Sequence, residues 1–195
     1  MSRCPDAFAQ PSSAGRSWLK SYYFIRAAVS VAWVAAAFSV GHADPAVAAA
    51  LLVAYPAWDA VANYLDARQS GGLARNGSQR LNLIVSIVTT VAIAVALGWS
   101  MNAVLGVFGV WASLSGLFQL VTGVRRWKRF GAQWAMILSG GQSAIAGCLF
   151  VARAATAGMP GVTDVAPYAA FGAFYFLVSA VWLTVQDRRE GAHAA

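Results

Sequence analysis

Charge is what this sequence has least of. Only 11% of its residues are charged, against roughly a quarter in a soluble domain, while 59% are hydrophobic and the mean hydropathy is +0.59. That balance excludes an ordinary water-soluble globule. Cysteine is nearly missing too: Cys4 lies in a polar tail and Cys148 in an apolar run, so neither a disulfide framework, a metal-ligand spacing nor a redox pair is present. Segments of about 10 residues with strict polar–apolar alternation are absent, which excludes a transmembrane β-barrel. No short apolar core precedes the first long run, so no cleaved signal peptide is expected, and Cys4 stands too early for a lipoprotein signal. Phosphate-binding glycine loops and nucleophile elbows are lacking as well; Gly71-Gly72 and Gly140-Gly141 are isolated pairs.

What is present is a succession of apolar runs near 20 residues, each long enough to cross a hydrocarbon layer of roughly 30 Å as a helix. Backbone groups in lipid must be satisfied internally, so these runs are read as helices. The expectation is an all-α polytopic membrane protein with six transmembrane helices at about 22–40, 46–67, 81–97, 101–124, 134–152 and 167–185, arranged as three repeated helical hairpins. The six-helix domain covers 21–186. Residues 1–20, polar and rich in Ser, Pro and Gly, read as a disordered tail, and 187–195 as a C-terminal tail. Breakers Gly41-His42-Ala43-Asp44-Pro45 and Gly158-Met159-Pro160-Gly161 mark two turns, and Pro56 should release a carbonyl near Leu52.

Orientation follows from Lys and Arg. Arg3, Arg16 and Lys20 precede the first span, Arg68, Arg75 and Arg80 follow the second, Arg125-Arg126-Trp127-Lys128-Arg129 follows the fourth, and Arg188 and Arg189 follow the sixth; the opposite turns hold only Arg153. Positive residues stay inside, so both termini are expected in the cytoplasm of a multi-pass plasma (inner) membrane protein. The net charge of +7 is thereby explained by topology, and no nucleic-acid partner is inferred.

The hairpins repeat at a period near 56 residues. Arg26, Ser30 and Trp33 fall in register with Asn82, Ser86 and Thr89, and then with Ser139, Ser143 and Ala146; Tyr55 and Trp58 fall with Phe108 and Trp111, and Phe174 and Leu177 continue the series. The equivalent faces carry small residues at helical spacing: Gly106, Gly109, Ser113 and Gly116 on the fourth span, Gly140, Ser143 and Gly147 on the fifth. Such faces let helices approach closely where lipid supplies no hydrophobic drive between them. They are expected to pack helices and to offer a homo-oligomer surface.

The segment FGVWASLSGLFQLVTGVRRWKRFGAQWAMILSGGQSAIAGCLFV, residues 108–151, joins a glycine-spaced helix to a basic turn, then a Trp and a Gly/Ser-rich helix. In this the chain resembles the HdeD-like membrane proteins, over about 22–185. The resemblance implies a short hydrophobic repeat and, from that family's named member, an association with acid resistance; it implies no catalytic or binding residue and no cofactor. Asp59 and Asp66 have no counterpart in the family pattern.

Those two acids stand with Asn63 in LLVAYPAWDAVANYLDAR, residues 51–68, at i, i+4 and i+7, so a helix presents all three on one face. Acids at such depth face protein or water and mark candidate sites. Depth measured from the hairpin turn is taken to set Arg26 level with Asp66, in a cluster with Asn63, Asn82 and Gln119. Asp59 is left nearer the midplane with only uncharged neighbours such as Ser30, Ser86, Thr89 and Ser113, hence held as a neutral acid by the cost of desolvating its charge. The leading expectation is a non-enzymatic membrane protein of envelope or acid-stress physiology, without cofactor or metal and embedded in the lipid bilayer. The alternative is a small channel or proton-coupled transporter using Asp59, Asn63, Asp66, Arg26, Asn82 and Gln119.

Overall fold

The computed structural model describes residues 13–126 and 133–193. Among them are six helices and no strand: α1 (Ser13–Ala36, prolonged by a π-helical turn, Ala37–Gly41), α2 (Pro45–Gln69), α3 (Gly77–Ala96), α4 (Met101–Arg126), α5 (Gln133–Ala154) and α6 (Val162–His193). All six are long and apolar enough to cross a membrane.

The turns have local causes. Asp44 caps α2, its Oδ1 accepting from the amides of Ala46 (2.8 Å) and Val47 (3.2 Å), while Pro45 takes the first helical position, where a missing N–H costs nothing. The loop after α2 turns through Gly71 and Gly72, at φ 95° and 90°, a backbone region that favours glycine. Asn76 then closes that loop by donating to the carbonyls of Ser70 (2.8 Å) and Gly72 (2.9 Å). At the opposite side Asn102 ties α4 to the end of α5 through the carbonyls of Ala154 (3.2 Å) and Thr156 (2.9 Å).

Helix ends depart from the expected tails. Ser13 already begins α1, so 13–20 are helical rather than disordered, with 1–12 outside the described residues; α6 runs to His193 through the expected tail and starts at Val162 rather than 167. Hydropathy marks where lipid ends, and a helix satisfies its own backbone in water as well, so it need not stop there. The side chains of the Arg125–Arg129 cluster lie outside the described residues.

Six helices alternate in direction, so the start of α1 and the end of α6, together with the Arg-bearing loop after α2, share one side, called here the basic side. Lys20 of α1 and Asp187 of α6 pair there at 2.8 Å. The closest packing joins α4 to α5, α2 to α3 and α1 to α6; α1 and α2, though consecutive, approach far less. The α4–α5 contact realises the glycine stripe. A Cβ added to Gly109 would lie 2.7 Å from the Gly147 carbonyl oxygen, and one on Gly116 2.5 Å from the Ala144 nitrogen; Gly140 likewise faces the Leu120 nitrogen at 2.7 Å. Gly109, Ser113, Gly116, Gly140, Ser143 and Gly147 therefore pack backbone on backbone inside one chain. Gly106 is looser, 3.5 Å from the Ala154 Cβ.

The apolar core sits in the half away from the basic side, where Leu52, Ile93, Val104, Leu105, Phe108, Val165 and Ala166 are buried together. Inside it six rings from five helices, Trp33, Tyr55, Phe108, Trp111, Phe150 and Tyr168, meet with neighbouring centroids 5.0–6.3 Å apart. Tyr55 and Phe108 keep the equivalence read from the repeat. In α6 the ring at the core is Tyr168, whereas Phe174 is exposed toward lipid.

The glycine contact yields a paired prediction. Gly116→Ala should destabilise the protein in detergent by about 1–3 kcal/mol through overpacking, while Gly106→Ala, with room for its methyl, should be neutral or stabilising by up to about 1 kcal/mol. Thermal melts of the two variants compare them directly.

Candidate functional site

One set of polar residues from each of α1, α2 and α3 points inward in the basic half. Helical spacing stacks Trp18, Tyr22 and Arg26 on α1, Asp66, Asn63 and Asp59 on α2, and Gln79, Asn82 and Ser86 on α3. At the deep end of these stacks Arg26 Nη2 pairs with Asp59 Oδ1, both side chains almost closed to solvent at 15% and 14% exposure. Asp59 Oδ2 accepts from Asn63 Nδ2 (2.9 Å) and Ser86 Oγ (2.9 Å), and Ser86 Oγ in turn accepts from Trp111 Nε1 (3.0 Å). Four helices thus converge on one carboxylate.

The guanidinium is held from the other side. Arg26 Nη1 donates to the Tyr22 hydroxyl (3.1 Å), which donates to the Ala62 carbonyl (3.2 Å), and the Phe176 ring of α6 lies 4.2 Å from the guanidinium carbon. That last contact is a cation–π arrangement shielded from water, where it counts most. Burying the two charges is costly, and the pair is tolerable because each has close, directional partners.

This geometry corrects the pairing expected from sequence. Arg26 stands 15 residues before Gly41 and Asp59 stands 15 after Asp44, so the turn between them sets Arg26 level with Asp59 and leaves Asp66 about two helical turns nearer the basic side. Asp59 is accordingly no lone acid: it faces a cation. Asp66 accepts instead from Gln79 Nε2 at 2.9 Å, a residue placed in the loop by hydropathy but lying in the first turn of α3. Asn63 joins Asp59, with its Nδ2 also on the Asp59 carbonyl at 2.8 Å. Asn82 keeps its depth in the α3 stack, its Oδ1 buried and without a donor. Among the described residues Gln119 makes no hydrogen bond to Arg26, Asp59 or Asp66, because α4 reaches the cluster one level deeper, through Trp111.

Sequence reasoning assigns Tyr22 to an interfacial aromatic belt and Trp111 to packing, and so misses both as members of the site. A signal existed for each: Tyr22 is one helical turn from Arg26, and Trp111 shares its repeat position with Trp58 beside Asp59. Next to Leu52, whose carbonyl loses its helical partner at Pro56, Trp33 Nε1 donates to the Leu51 carbonyl at 2.8 Å.

Set beside known proteins, residues 84–152 match a family described as a short repeat of unknown function, DUF308. The matched stretch runs from α3 through the glycine-packed α4–α5 pair and excludes Arg26 and Asp59. No curated protein and no solved structure matches the chain.

Removing one partner of the pair leaves the other charge buried and uncompensated, which costs about 3–5 kcal/mol. Arg26→Ala should therefore destabilise the protein by that order, and much of the loss should be recovered in Arg26→Leu combined with Asp59→Leu. A double-mutant cycle of Arg26 with Asp66 should give coupling near zero. Denaturant-induced unfolding in mixed micelles measures all three.

Proposed function

We propose that the protein is a non-enzymatic, non-conducting scaffold of the plasma (inner) membrane, of HdeD-like type, with both termini cytoplasmic and a role in envelope or acid-stress physiology. The observation that carries this reading is that both oxygens of Asp59 are engaged within the chain: one accepts from Arg26 and the other from Asn63 and Ser86. A carboxylate held by three donors of its own chain is a structural tie between helices. The match to a short membrane repeat over α3–α5 and the glycine-packed helices favour the HdeD-like assignment.

The transporter reading draws on the rarity of buried ion pairs in membranes, which often mark ion pathways. Against it stand the aromatic rings packed above the pair, Trp33, Tyr55, Phe108, Trp111 and Tyr168, which fill the centre between Asp59 and the side opposite the basic loops. The remaining apolar faces, including Ile84, Val88, Leu149, Phe171 and Val181, are exposed and suited to lipid. Self-association is assigned to such outward faces, because the glycines are already occupied between α4 and α5.

Purified protein in liposomes loaded with a pH-sensitive dye tests the reading. Under an imposed proton gradient and a potassium diffusion potential, the scaffold gives the same decay as protein-free vesicles. Proton entry that is abolished by Asp59→Asn would establish transport instead.

A further inference from the structure

Buried polar atoms without partners are rare in native proteins, and each calls for an explanation. Here the described residues hold six: Trp18 Nε1, Arg26 Nε, Trp58 Nε1, Gln79 Oε1, Asn82 Oδ1 and Ser115 Oγ. Counted along their helices, all six lie in the half of the bundle next to the basic side; at 1.5 Å per residue none is farther than roughly 20 Å from the end of its helix there. The aromatic half contributes none. Four of them, Trp18, Arg26, Gln79 and Asn82, belong to the inward polar stacks of α1 and α3 that flank Asp66, Asn63 and Asp59. Three of the six are donors, two are acceptors and the serine hydroxyl is either, a mixture that no single ion satisfies and that water satisfies at every position.

We propose that a file of water molecules occupies the space between the inward faces of α1, α2 and α3, entering from the basic side past Trp18 and Gln79 and ending at the Arg26–Asp59 pair. Water along this path gives a partner to the four orphaned atoms that line it, Trp18 Nε1, Gln79 Oε1, Asn82 Oδ1 and Arg26 Nε. The vestibule is closed at its deep end by the aromatic rings, so solvent reaches Asp59 from one side of the membrane only. The dead end rests on the non-conducting reading above; the water file does not.

Synchrotron X-ray footprinting of the full chain in nanodiscs, read by tandem mass spectrometry, tests this on the unaltered protein, because hydroxyl radicals form from water already beside a side chain. The comparison is between two tyrosines: Tyr22, which lines the file, is 8% exposed, whereas Tyr168 of the aromatic layer is half-buried, so surface exposure alone would make Tyr22 the slower. Tyr22 should instead be modified at least about tenfold faster than Tyr168, since of the two it alone adjoins water. If Tyr22 is as slow as Tyr168 or slower, the vestibule is refuted while the non-conducting reading stands. If Trp33 and Trp111 of the aromatic layer, 6% and 3% exposed, are modified as fast as Tyr22, water crosses that layer, and both the dead end and the non-conducting reading fail.

Discussion

The Arg26–Asp59 pair is the interaction on which the rest of the bundle depends. Helix α1 packs closely on α6 and only sparsely on α2, although a short turn joins it to α2. What ties it to α2 is polar: Arg26 to Asp59, the Tyr22 hydroxyl to the Ala62 carbonyl, and the Trp33 indole to the Leu51 carbonyl. In lipid, side-by-side apolar surfaces gain little over contact with acyl chains. A directional tie between charges is therefore the stronger way to fix which helix stands next to which. Because Asp59 also receives Ser86, and through it Trp111, the same carboxylate sets α3 and α4 in register with α1 and α2.

The molecule divides into two halves with different physics. Away from the basic side, tightly packed rings and aliphatic side chains make up the core. Toward the basic side, three stacks of polar residues descend to the ion pair, and Lys20–Asp187 closes the seam between α1 and α6 at the surface. Between α4 and α5 neither device is used: glycines bring the two backbones together, and close backbone packing replaces side-chain interlocking. One ring of helices is thus held by three distinct kinds of contact, each suited to what its sequence supplies.

Much of this was legible before the structure. Long apolar runs disclosed six membrane-spanning helices, and the small-residue spacing disclosed the α4–α5 faces, because both depend only on periodicity along one helix. The shared face of Asp59, Asn63 and Asp66 followed from the same rule. Cross-helix pairing did not follow so readily. A displacement of seven residues along α2 separates Asp59 from Asp66, and only careful counting through the turn at Gly41–Asp44 selects between them. Gln79 escaped notice since hydropathy placed it in a loop, Tyr22 since a ring near a span's end ordinarily belongs to an interfacial belt, and Trp111 since a ring within an apolar run ordinarily serves as packing. Helix ends beyond the lipid boundary, such as α6 reaching His193, carry no hydropathy signal at all.

The most direct test of the central claim is a solid-state NMR dipolar recoupling measurement in lipid, with the Arg26 guanidinium nitrogens labelled against the side-chain carboxyl carbons of Asp59 and Asp66. An ion pair requires a nitrogen-to-oxygen separation within about 4 Å, which puts the carboxyl carbon close enough to dephase the nitrogen strongly. The account predicts strong dephasing of Arg26 by Asp59 that vanishes in Asp59→Asn prepared without the carboxyl label and persists in Asp66→Asn. Dephasing that instead follows Asp66, or none from either acid, would contradict it.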